Sequence, residues 1–150
     1  EAQLRKAMAE REFENLDNAH RTACYNEVAS CPLLAEVRRL LERLQRLRYD
    51  LAAARDTNEL RTLFDAMVRS STPPGLPERE RETARRQLQD LQDREGAQIA
   101  AAFGRAKERG DFLMTSALEK RVVSVRYAGV HVGEDVIGEA VERAARAEVE

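Results

Sequence analysis

Leu33, Val37, Leu40, Leu44, Leu47 and Leu51 recur at steps of 4, 3, 4, 3 and 4 residues. An α-helix turns once in about 3.6 residues, so this spacing lines the six side chains along one stripe. A strand, with its period of two, would scatter them over both faces. Leu34 and Leu41 lie beside the stripe and make it broad enough for two neighbouring helices. A chain committed to one such helix must cover it with others, and the remaining sequence offers them.

Before the seam, residues 1–30 carry Leu4, Met8, Phe13, Leu16, Ala23, Cys24 and Val28 at helical spacing, up to the interruption Ser30-Cys31-Pro32. Proline is favoured in the first turn of a helix, where its missing N–H would be unpaired in any case, so a second helix is predicted over 32–55. Asp56 and, three residues on, Glu59 have capping-box spacing. They predict a short third helix with Leu60, Leu63, Phe64, Met67 and Val68 on one face, or a continuation of the preceding helix, since nothing between Arg55 and Leu60 forbids that. Residues 71–77, with three prolines and a glycine, are the one strong break and the place where the chain reverses. A long helix is expected over 77–109. Its first half holds only Ala84, Leu88 and Leu91 as a thin stripe, so that end is expected to project or to pair with another chain. Gly110-Asp111 reads as a stop followed by a cap.

Beyond it Leu118, Val122, Val125, Gly129, Val132 and Val136 repeat the 4, 3, 4, 3, 4 steps, with Val123, Val130, Ile137 and Ala144 seven apart beside them. Residues 122–133 are also valine-rich enough for a hairpin. The double register favours a helix through them, despite Gly129 and Gly133.

Composition agrees with long helices: 35% charged, 43% hydrophobic and 5% aromatic residues, with no Trp. The net charge of −2 gives no general attraction to nucleic acid or to an anionic membrane. Three of the 25 basic residues are lysines (Lys6, Lys107, Lys120), so the basic chemistry is almost all arginine. No stretch approaches the roughly 20 apolar residues of a membrane span. Cys24 and Cys31, if carried on one helix, would be about 10.5 Å apart, too far for a disulfide, and read as thiols of a reducing, cytoplasmic protein. The chain opens on Glu1 rather than Met, as expected of a domain cut from a longer protein and equally of a processed or trimmed terminus.

Residues able to carry chemistry are few. His20 and Cys24 share a helix face, with Asp17, Glu27 and Cys31 in range of an imagined zinc site, but the paired knuckles of such sites are missing. His131 has Glu134 and Asp135 nearby and no nucleophile. No phosphate-binding loop, nucleophile elbow, zinc-protease helix or calcium loop occurs. Arg38, Arg39, Arg43, Arg46 and Arg48 form a basic set on the seam helix, against Glu36 and Glu42.

These readings predict an all-α protein, an elongated antiparallel bundle of long coiled-coil-like helices forming one domain over 1–150. The pattern is similar in class to the spectrin-type bundles, though no motif names a family. The expected function is non-enzymatic: a structural or scaffolding module, of the cytoskeletal kind, without a cofactor. It would act on protein partners, or on itself, through the Leu33–Val37–Leu40–Leu44–Leu47–Leu51 seam or through Leu118, Val122, Val125, Val132 and Val136. Two alternatives stand beside it. The arginine set could serve a nucleic-acid or regulatory binding domain, although nucleic acid is not favoured by the overall charge. A metal-binding or enzymatic domain could be built around His20 and Cys24.

Overall fold

The computed structural model describes residues 2–10, 13–26 and 31–149, and of residues 10, 13, 23–26 and 31 the backbone alone. Among the described residues there are seven helices and no strand. They are α1 (Ala2–Glu10), α2 (Phe13–Asn26), α3 (Cys31–Thr57), α4 (Leu60–Ser71), α5 (Glu78–Arg109), α6 (Phe112–Arg126) and α7 (Glu134–Val149). The chain packs as two compact units, Glu1–Arg86 and Gln87–Glu150, with α5 contributing residues to each.

In the first unit α3 is the centre. Pro32 lies in its first turn, and Leu33, Val37, Leu40, Leu44, Leu47 and Leu51 are all buried. Each such side chain stabilises the fold by about 1.5–3 kcal/mol relative to exposure. The helices α1, α2 and α4 all pack on α3, so the broad stripe serves several neighbours in a clustered bundle, beyond what a two-helix coiled coil would need. Residues 1–30 supply two helices that pack on each other, with Leu4, Ala7 and Leu16 inside.

The capping box expected at Asp56 and Glu59 does not form. Instead α3 runs through Asp56 and Thr57, the Thr57 hydroxyl donates to the Ala54 carbonyl at 2.7 Å, and Asn58 makes the turn at φ 53°. Asparagine is among the few residues that adopt this left-handed conformation readily. Glu59 then precedes α4 without a side-chain cap. The end of α4 returns to the middle of α3, where Arg43 donates from Nε to the Pro74 carbonyl (2.8 Å) and from Nη2 to that of Thr72 (3.4 Å). The two helices are therefore antiparallel.

The thin stripe on the first half of α5 predicts an end that projects or pairs with another chain; its start is instead tied down within the first unit. Ala84 is buried, Glu80 pairs with Arg48 (3.4 Å), and Arg81 donates to the Leu76 carbonyl and the Ser71 hydroxyl. A thin stripe needs few apolar contacts when the charged residues beside it make polar ones.

The second unit closes around Ile99, Phe103 and Ala106 of α5, Leu118 and Val122 of α6 and Ala140 of α7. Gly110 at φ 60° ends α5, with its own N–H on Lys107 O and that of Asp111 on Ala106 O, a Schellman turn. Asp111 at once caps α6, accepting from Met114 N at 3.0 Å. The stop and cap read from the sequence are both present.

The helix predicted through 122–133 is not. Helix α6 stops at Arg126, where a second Schellman turn forms with Gly129 at φ 79°, Gly129 N on Arg126 O and Val130 N on Val125 O. Neither a continuous helix nor a hairpin results, but a loop over 127–133 that plugs Ala128 and Val130 into the interior. The main seam survives because Val122 and Val125 of the helix and Val132 of the loop all pack on the core, whereas Val123 of the second register is exposed.

Gly104 in α5 and Gly138 in α7 have nothing within 4 Å of where a Cβ would stand. Gly104→Ala and Gly138→Ala should each raise the unfolding free energy by about 1 kcal/mol, read from urea denaturation. A loss of stability at either would show that the glycine is needed for packing.

Candidate functional site

The basic set on α3 divides. Arg39, Arg43 and Arg46 lie along one helix face and, with Glu42, Leu47 and Asp50, form one wall of a cleft of about 450 Å³. Arg69 and Thr72, from the end of α4, form the other. Arg43 is anchored on the loop carbonyls, whereas Arg39, Arg46 and Arg69 make no hydrogen bond or ion pair among the described residues. Arg38 is exposed outside the cleft and Arg48 pairs with Glu80. Arg69 was missed in the sequence because only the fold brings α4 beside α3.

The leucine seam lies wholly within the first unit. In the second, Leu118 and Val122 are buried, and Val125, Val132 and Val136 pack half-buried against the same cluster. What α6 presents outward is a different set. Buried Thr115, Leu118 and Val122 mark its inner side. At about 100° per residue, Leu113, Ala117, Lys120, Ser124 and Tyr127 fall opposite, with Val123 alongside. Leu113 is 80% exposed, Tyr127 77% and Val123 56%. Lys120 is exposed and makes no ion pair among the described residues. The valine repeat marks the buried side of this helix; the signal for the outer one was that apolar residues such as Leu113 and Val123 fall outside that stripe.

Other candidates give less. Among the described residues no three His, Cys, Asp or Glu side chains could hold a metal ion. Asp17 pairs with Arg21 at 3.1 Å, and the side chains of Cys24, Glu27 and Cys31 lie outside the described residues. His131 stands exposed in the loop before α7. Around the second core, Gln92 donates to the Ala128 carbonyl, Arg121 pairs with Glu95, and Lys107 with Glu139. The Lys107 hydrogen bond and charge hold the Glu139 carboxyl below the ordinary glutamate value. These bonds brace the unit and do not form a reacting centre. No described helix is long and apolar enough to cross a membrane.

No family model, curated protein or solved structure matches this chain.

Proposed function

We propose that the chain is a non-catalytic, structural or scaffolding helical module that binds protein partners through the outer face of α6. The observation that carries this reading is the exposed line Leu113, Val123 and Tyr127 on a helix whose inner side already has its core. A partner helix laid there would bury apolar area at about 25 cal/mol per Å². Ala117 and Ser124, small residues between the two large ends, allow close approach.

Lys120 sets the partner's chemistry: a helix with an acidic residue between two apolar anchors. Two copies of α6 paired antiparallel about residue 120 would bring lysine against lysine, which disfavours that form of self-association.

A photoreactive residue placed at 113 or 127 in cells should give a discrete cross-linked species, lost when Lys120→Glu is added. Light scattering behind size exclusion should find the purified chain monomeric. Cross-linking no stronger than at an exposed polar position such as Gln89 would end the proposal. A dimer dissolved by Leu113→Ser would replace the foreign partner with a second copy.

A further inference from the structure

We infer that the α3–α4 cleft is a binding site for a small, multiply charged oxyanion of the polyphosphate type. Four guanidinium groups, from Arg39, Arg43, Arg46 and Arg69, surround it against two carboxylates, Glu42 and Asp50. The lining therefore carries an excess of positive charge that the protein does not neutralise. Arg46 has Glu42 one turn before it and Asp50 one turn after, and bonds to neither.

The cleft is also built rather than incidental. Arg43 is fixed by its two bonds to the carbonyls of Thr72 and Pro74, and those bonds hold the α4 end, with Arg69, opposite Arg39 and Arg46. Guanidinium forks match phosphoryl oxygens with paired N–H groups, and three forks from two helices can grip a chain of two or three phosphates. The volume of about 450 Å³ is within the range of small-ligand clefts. The Thr72 hydroxyl already donates to the Val68 carbonyl and leaves an acceptor, so phosphate recognition rests on the arginines.

The test is calorimetric titration of the full chain with pyrophosphate and tripolyphosphate at low and at raised salt. Binding should favour tripolyphosphate and weaken as salt rises. Arg46→Gln or Arg69→Gln should each lower affinity roughly tenfold, and the triple change with Arg39→Gln should abolish it. These three side chains hold no other part of the fold, and circular dichroism of the variants should be unchanged. Arg46→Lys, which keeps the charge but loses the fork, should fall between, and the distant Arg105→Gln should bind as the parent does. Undiminished binding by the triple variant, or an equal loss in Arg105→Gln, would overturn the assignment. So would absence of binding at low salt. Tighter binding of a nucleoside triphosphate than of tripolyphosphate would identify a nucleotide as the source of the phosphates; equal binding would identify the inorganic chain.

Discussion

Phe103→Ala should lower the unfolding free energy by about 3–5 kcal/mol, a large share of the roughly 5–15 kcal/mol that holds a typical domain together. The ring is fully buried where α5, α6 and α7 meet, among Ile99, Leu118, Val122 and two alanines, Ala106 and Ala140. Neither alanine is long enough to fill the space the ring occupies. Once it is gone they cannot reach across, and the cavity persists. Urea denaturation gives the magnitude, and hydrogen exchange gives the location: amides of α6 and α7 should lose protection. Phe112→Ala, at a side chain 43% exposed on the first turn of α6, should change stability by less than about 0.5 kcal/mol. Similar losses at the two positions would mean that Phe103 is not the centre of that core.

Gly75→Ala is expected to cost about 2–4 kcal/mol through the backbone alone. A Cβ at this position would stand 2.3 Å from the Ser70 carbonyl oxygen and 2.9 Å from that of Thr72. Neither is the movable end of a side chain. The Ser70 oxygen also receives the Leu76 N–H at 2.8 Å, so pushing it away would break the bond that seats Leu76, itself 2% exposed, in the first unit. The comparison is Gly104→Ala, the same chemical change in open space, which should move the urea midpoint the other way. A Gly75→Ala protein as stable as its parent would show that the loop can rearrange around a methyl group.

How much was legible in the sequence depended on whether the signal was local. The α3 seam, the proline-rich break and the Gly110-Asp111 junction rest on one helix period, missing N–H groups or a single left-handed residue. All three stand in the structure. The helix read through residues 122–133 failed because periodicity cannot distinguish a helix from a loop whose valines also point inward. Gly129 decided against it by taking a positive φ, and a glycine within a regular pattern carries that choice silently. The cap at Asp56 failed for a related reason, since left-handed Asn58 offered another way to turn. The cleft was half visible: Arg39, Arg43 and Arg46 share one helix, but Arg69 comes from an element 12 residues long that reaches them only through the turn at Asn58. The outer side of α6 was hidden by the success of its inner one, because a repeat that explains half of a helix draws attention away from the rest.

Asp111 belongs to two helices at once, completing the turn that ends α5 and capping the start of α6. The path of the chain at this corner is thus set by Gly110 and Asp111, independently of which side chains α6 shows to solvent. Its outward residues can drift or be redesigned for a new partner while the corner stays where it is. Substitutions on that outer side should therefore leave the corner, and the packing of α6 on α5, unchanged.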